Sequence, residues 1–224
     1  MLKFKTVKLF AVSLLSAFAV QAVAERNSSW VDFSDPTAVY SKAGFAGGTE
    51  GVDIYGALGG YLGGQFKQKL TVEAMHDLDY YNINYFAFNT SNDTGFSLNT
   101  TWSDVYEHGD YDRDSYDKAS VGVVKKLILE NRSFKVYPSM NLGIMWGDSI
   151  PSTTFIELDV PVRYTVNHNF WVGVTPNYTY ALRGLDIKDL DATVDAGYQL
   201  AEEVAVSAHF NNEEEVWADF TFAF

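Results

Sequence analysis

Apolar and polar residues alternate with a period of two along much of the chain. The clearest example is FIELDVPVRYTV (residues 155–166), in which six alternate positions are apolar or aromatic and those between them include Glu157 and Arg163. Because successive side chains of a strand point to opposite faces, this period predicts β-strands with one apolar and one polar face. Pro161 cannot donate to a ladder, which predicts a bulge or a local break in pairing.

Counting the alternating segments predicts an all-β chain of about twelve antiparallel strands, with ten strands and a long loop as the alternative. The connections fall into two alternate sets. One set is short, as at Gly63-Gly64, and the other is longer or more acidic, as in YEHGDYDRDSYD (residues 106–117). In VGVVKKLIL, either choice of face leaves Lys125 or Lys126 among apolar neighbours, so we expect a bulge there.

The alternation alone fits a secreted soluble β protein as well as a barrel in lipid. Two features favour lipid. The apolar faces are nearly free of charge, whereas the opposite faces carry glycine, threonine, asparagine and charged residues, which would make a poor soluble core. Aromatic residues also gather near strand ends, where a membrane interface would hold them; they are Phe134, Trp146, Tyr164, Phe170, Trp171, Tyr178 and Tyr180.

The first residues have the pattern of a secretory signal peptide. A basic start (Lys3, Lys5, Lys8) precedes the apolar stretch 9–20, and Ala22-Val23-Ala24 supplies a cleavage site. The apolar stretch is short for a retained membrane anchor. We therefore expect residues 1–24 to be removed, residues 25–36 to form a short periplasmic lead-in, and residues 37–224 to form the barrel.

The composition of the chain excludes several classes of function and modification. Removing 24 of the 224 residues would take away three lysines and no acid, so the formal net charge would change from −13 to −16. This charge argues against binding nucleic acid. The absence of cysteine excludes disulfides and lipoprotein acylation. The sequence contains no complete motif for a cofactor or a metal site.

The last residues, VWADFTFAF, place aromatic rings at Phe220, Phe222 and Phe224. This segment resembles the C-terminal strand of Gram-negative outer-membrane β-barrels of the porin type. The resemblance implies a closed barrel in the bacterial outer membrane, with short periplasmic turns and longer acidic extracellular loops. It also implies that the three rings face lipid and are read by the barrel-assembly machinery, with periplasmic chaperones, membrane lipid and lipopolysaccharide as further partners.

The charged residues on the predicted wet faces are the main candidates for function, because they would line the lumen of such a barrel. The first half of the chain contributes mostly lysines and the second half mostly carboxylates, so the two groups either leave opposite charges on two walls or pair and close the lumen. The candidates are Lys42, Asp53, Lys67, Lys69, Glu73, Lys135, Glu157, Asp159, Arg163, Asp191, Asp195 and Asp219.

Two loops carry weaker candidates. Asp110, Asp112 and Asp114, with Asp117 beyond, are spaced like the start of a calcium loop, but the glycine and glutamate that such a loop needs are missing. The alternatives are an acidic outer loop that shares divalent cations with lipopolysaccharide and a solvated acidic run. His76 precedes Asp77 and Asp79 in another loop, a pairing that a hydrolase at the barrel rim would use.

These patterns lead to three hypotheses. The first is a small passive channel for hydrophilic solutes or ions, without catalytic activity. The second is a structural or binding barrel with a plugged lumen and acidic surface loops. The third is a rim enzyme, a lipid or peptide hydrolase using His76.

Overall fold

The computed structural model describes residues 31–103, 116–129, 133–147 and 150–224, and over these residues the ordered backbone is entirely β. No helix within these ranges is long and apolar enough to cross a membrane. The strand segments are β1 (Lys42–Gly48), β2 (Gly51–Gly63), β3 (Phe66–Met75), β4 (Tyr80–Asn89), β5 (Thr94–Ser103), β6 (Asp117–Lys125), β7 (Leu127–Ile128), β8 (Phe134–Val136), β9 (Ser139–Trp146), β10 (Thr153–Asp159), β11 (Val162–Thr165), β12 (Phe170–Arg183), β13 (Lys188–Ala201), β14 (Val204–Asn211) and β15 (Val216–Ala223).

Three pairs of consecutive segments are interrupted halves of single barrel strands. The pairing of β6 with β9 and that of β7 with β8 share one register, and the same holds for the pairings of β10 with β9 and of β11 with β8. Joining β6 to β7, β8 to β9 and β10 to β11 leaves twelve barrel strands in the described ranges. The prediction of twelve antiparallel strands is confirmed.

The barrel closes between its first and last strands. Lys42 of β1 pairs with Ala57 of β2 on one side and with Ala223 of β15 on the other, and every neighbouring pair is antiparallel. Closure removes the unpaired edges that an open sheet would present. The connections alternate between the two ends of the barrel. The two connections that are longest in sequence join β5 to β6 and β9 to β10. These strand ends lie at one end of the barrel, which we call the long-loop end, and the opposite end is the short-turn end.

Two of the three strand interruptions coincide with prolines. Pro161 breaks the ladder between β10 and β11, as the sequence predicts, and its carbonyl accepts from the Tyr137 N–H at 2.8 Å. Pro138 lies at the break between β8 and β9, and its carbonyl accepts from the Lys125 N–H at 3.0 Å. Since proline has no N–H, each break removes a donor while the carbonyl stays paired.

The expected bulge at Lys125-Lys126 is wrong, because the register runs unbroken across this point. The two lysines instead diverge. Lys126 points inward and binds Asp35, while Lys125 lies on the outer side and its ammonium reaches the Asn92 carbonyl in a turn at the short-turn end. A long flexible stem near the end of a strand lets the charge reach polar groups without shifting the pairing.

Burial in the barrel is inverted relative to a soluble protein. Residues on the outer faces are apolar and exposed, for example Val123 at 56%. The interior holds buried polar groups, for example Thr153 at 0%, together with Asn141, Asp195, Gln199 and Thr221. An outer surface of this kind is stable only against an apolar medium, so the apolar faces point to lipid, as expected.

Trp171 is an exception to the expected aromatic belt. It lies inside the barrel, and a Cβ at Gly197 on the neighbouring strand would overlap its indole ring. Trp171 follows Phe170, which takes the outer face, and successive residues of a strand alternate. The alternation therefore overrides the tendency of an aromatic ring at a strand end to face the membrane interface.

Candidate pore lumen

The described part of the lead-in folds into the lumen at the short-turn end. Residues 31–41 begin beside β8 and end beside β1, which lies six strands away in the ring of twelve and therefore on the opposite wall. Lys126 binds the carboxylate of Asp35 at 2.5 Å, and Lys135 binds that of Asp32 at 2.6 Å. We call residues 31–40 the plug segment.

Two consecutive aspartate turns shape the plug segment. The Oδ1 atom of Asp32 accepts from the Ser34 N–H at 3.1 Å and from its hydroxyl at 2.5 Å. The Oδ1 atom of Asp35 accepts from the Thr37 N–H at 2.8 Å and from its hydroxyl at 2.6 Å. Such side-chain turns satisfy backbone donors locally. The Oδ2 atom of each aspartate is left for its lysine.

The plug segment also contacts the other wall. The Lys69 ammonium donates to the Pro36 carbonyl at 3.4 Å and to the Ala38 carbonyl at 3.0 Å. The rings of Phe33 and Tyr40 meet edge to face at 5.6 Å within the segment. Lys69 therefore holds the carbonyls of the segment while Lys126 holds one of its carboxylates.

Hydrogen bonding keeps the Asp32 carboxylate of the plug segment charged. Burial raises the pKa of Asp32, but the hydrogen bonds from Lys135 and Ser34 outweigh it and leave the pKa below the ordinary 3.8. Burial also raises the pKa of Tyr40 well above its ordinary value. At neutral pH the segment therefore presents a charged Asp32 and a neutral Tyr40.

Arg163 and Asp195 form an ion pair on the inner wall across a glycine. Gly173 lies between them in register, and the guanidinium reaches over it to the carboxylate at 3.1 Å. A Cβ at Gly173 would lie 2.8 Å from the carboxylate and would also overlap the guanidinium. Glycine at this position is therefore what lets the pair form.

A second polar network lies on the wall built from β6, β9, β10 and β12. Lys118 pairs with Glu157 at 3.1 Å. Asp159 accepts from Ser139 at 3.2 Å, from the Asn141 amide at 3.3 Å and, more closely, from the Asn177 amide. These charges are balanced by groups on neighbouring strands rather than across the lumen.

His209 and Asp219 are the centre of a third group. His209 Nε2 lies 2.9 Å from both the Ser207 hydroxyl and the Asp219 carboxylate, and its ring stacks on Trp217 at 4.9 Å. A serine triad needs the serine and the carboxylate on different ring nitrogens. The shared nitrogen therefore indicates an electrostatic cluster and not a nucleophile with its base.

The register places the remaining predicted lumen residues on the inner face as well. Lys42 lies 4.9 Å from the Tyr55 ring centroid, and Lys67 lies 5.1 Å from that of Tyr61. Glu73 accepts from the Asn82 amide at 3.0 Å, Asp53 accepts from the His76 N–H at 2.7 Å, and Asp191 pairs in register with Asn177. The twelve candidates thus share one surface, although the structure groups them into separate clusters.

Two cavities border the plug segment. One, of about 260 Å³, is at the short-turn end and is lined by Asp32, Lys135, Asn167, Trp171 and Gln199 among others. The other, of about 240 Å³, is nearer the middle of the barrel. Its lining includes Phe33, Tyr40, Lys42, Glu73, Arg163, Asp195, His209 and Asp219.

The loop candidates gain no support. His76 has a φ of 53°, and its Nδ1 lies 4.0 Å from the Glu50 carboxylate. The Asp77 carboxylate accepts from the Val52 N–H at 3.0 Å and so caps β2. Asp110, Asp112 and Asp114 fall outside the described residues, and Asp117 lies in β6. In the ranges that the structure describes, no group of three or more acidic or histidine side chains is arranged to hold a metal ion.

The rings of the last strand lie on the outer face. Phe220 stacks on Phe45 of β1 at 5.6 Å, and Phe222 stacks on Phe224 at 6.2 Å. Thr221 and Ala223 take the inner face and are buried. The geometry fits rings that face lipid, while their reading by assembly machinery stays a prediction.

Sequence reasoning missed the plug segment and its partner Lys126. The segment has no period of two, so it carries no strand signal. The repeated Asp-x-Ser and Asp-x-Thr spacing in residues 32–37 was the available sign of two ordered turns. Nothing in that spacing indicates where the turns dock.

The fold is a porin-like closed barrel, with apolar outer faces and a polar interior. No protein-family model matches the chain, and no curated protein matches it. Among solved structures, an outer-membrane channel from Pseudomonas putida F1 superposes with a TM-score of 0.56 at 11% identity, covering 89% of this chain and 100% of that chain. The NanC porin superposes with a TM-score of 0.53 at 8% identity, covering 84% of this chain and 99% of that chain. The KdgM porin superposes with a TM-score of 0.50 at 9% identity, covering 83% of this chain and 99% of that chain. These likenesses show the fold.

Proposed function

We propose that the protein is a passive channel of the bacterial outer membrane for small hydrophilic solutes or ions. The observation that carries the proposal is the polar inner surface, which extends along the barrel from the cavity beside Lys135 to Asp191 near the long-loop end. A wet, charged interior inside an apolar wall suits a water-filled path. A structure of the KdgM porin in complex with disordered oligogalacturonate is an example of a protein with this fold in complex with a hydrophilic chain.

Charge at the long-loop mouth supports a preference for cations. The pKa of Glu213 is raised, mainly by the nearby negative charge of Asp191. Burial and the charges of Glu215, Asp189 and Glu50 raise it further. Carboxylates that shift one another in this way create a negative potential, which concentrates cations at the entrance. We expect small cations to pass more readily than anions of similar size.

Conductance of the purified protein in planar bilayers tests the proposal. Discrete current steps, with a reversal potential of the sign for cations in a salt gradient, are expected. Folded protein that gives no current, both as the wild type and with the plug carboxylates Asp32 and Asp35 neutralised, would favour the plugged structural or binding barrel. A rim hydrolase has no support from the contacts of His76, and turnover of a lipid or peptide substrate that a His76→Ala substitution abolishes would restore it.

A further inference from the structure

We propose that the plug segment (residues 31–40) is a gate, which holds the channel closed while docked and opens it by leaving its lysine contacts. This inference rests on the proposed function. The position of the segment carries it, because the segment spans the lumen from one wall to the opposite wall and borders both cavities. Any solute that crosses the short-turn end has to pass it.

The way in which the segment is held makes it separable from the barrel. The backbone hydrogen bonds described for residues 32–38 are internal, from Asp35 N–H to the Asp32 carbonyl and from Ala38 N–H to the Asp35 carbonyl. The wall holds the segment through lysine side chains rather than through a strand ladder. Displacement therefore leaves every barrel strand paired.

The segment has a fixed hinge at Ser41. The Ser41 carbonyl accepts from the Phe224 N–H at 3.0 Å, and its hydroxyl accepts from the Gly59 N–H at 3.2 Å. Residues beyond this anchor can move as a unit, because their two aspartate turns keep their shape without the wall. The hinge lies beside β1, so the released segment stays tethered at the short-turn end.

The two docking pairs differ in exposure. The Asp35 and Lys126 side chains are 6% and 18% exposed, whereas Asp32 borders the cavity at the short-turn end. The inner pair is consequently the stronger latch, since water screens it less. Asp35 should control opening more than Asp32 does.

An isosteric substitution removes the ion pairs that dock the segment and keeps its aspartate turns. Asp32→Asn with Asp35→Asn keeps the Oδ1 acceptors for Ser34 and Thr37 and removes the charge that each lysine binds. In planar bilayers we expect the open probability of the full chain to rise at least tenfold. Asp186→Asn is the matched control, because it removes a carboxylate from an exposed pair with Lys188, and it should leave gating unchanged.

A cross-link tests the same movement in the opposite direction. The chain has no cysteine, so Asp35→Cys with Lys126→Cys can be joined by a short reducible bis-thiosulfonate reagent. We expect this variant to conduct before treatment, to close on cross-linking and to reopen with a reductant. The pair Asp186→Cys with Lys188→Cys, treated in the same way, should conduct throughout.

The outcomes distinguish the gate from the channel. Equal, non-zero open probability of the wild type and the Asp32→Asn/Asp35→Asn variant would overturn the gate and leave the channel standing. Current that persists through a verified cross-link would overturn it too. If every variant folds and none conducts, both the channel and the gate fail.

Discussion

The Arg163–Asp195 pair gives a sharp test of how the lumen is stabilised. The side chains are 15% and 3% exposed, and the guanidinium lies 3.1 Å from the carboxylate. At an effective dielectric constant of about 20, Coulomb's law gives roughly 5 kcal/mol for charges at this separation. Water in the lumen reduces that attraction, whereas breaking a buried pair leaves one charge uncompensated.

Replacing Arg163 by Met should therefore lower the free energy of unfolding by about 3 kcal/mol, the low end for a broken buried pair. Asp195→Asn alone leaves the guanidinium without its partner, but Arg163 is more exposed than Asp195 and also donates to the Thr175 hydroxyl, so this substitution should cost less. The double variant should be more stable than Arg163→Met, because neither charge then remains unpaired. The measured quantity is the coupling energy of the double-mutant cycle.

Urea-dependent unfolding in lipid vesicles, followed by tryptophan fluorescence, provides the free energies. The exposed Asp186–Lys188 pair, at 3.7 Å, is the control and should show no measurable coupling. A coupling energy for Arg163 and Asp195 below about 0.5 kcal/mol would refute the reasoning. It would mean that water already screens this wall as completely as it does the surface.

Three further predictions follow from single positions. Gly44→Val should destabilise the barrel by about 1–3 kcal/mol, because a Cβ there lies 2.5 Å from the Phe220 carbonyl at the closing strand pair; Gly47→Val, with open space around it, is the control, and equal urea midpoints would contradict the clash. Asp159→Lys should shift the reversal potential towards anions, and an unaltered value would remove Asp159 from the ion path. Phe222→Ser should reduce the amount of barrel recovered from outer-membrane fractions, and unchanged recovery would show that this ring is not needed for assembly.

The barrel strands could be predicted because each one repeats a single physical contrast between lipid and water. Segments such as residues 155–166 carry that contrast over most of their length, so the faces and the strand number follow from the period. Trp171 shows the limit of arguing from residue type, since its position in the alternation, and not its ring, decides its face.

The clusters inside the lumen could not be predicted, because they depend on register between distant strands. Arg163 meets Asp195 only because Gly173 lies between them. Lys126 was expected to disturb its strand and instead binds Asp35, from a segment without periodicity. Contacts of this kind join residues far apart in sequence, and no local pattern records them.

The hinge at Ser41 also constrains the order in which the molecule is made. Ser41 immediately precedes β1, and its carbonyl is paired with the last strand of the ring. Once β1 and β15 are joined, residues 31–40 can enter or leave the interior only through the short-turn opening, on a tether fixed at Ser41. We therefore expect this segment to dock last during biogenesis, after the ring that anchors its hinge has closed.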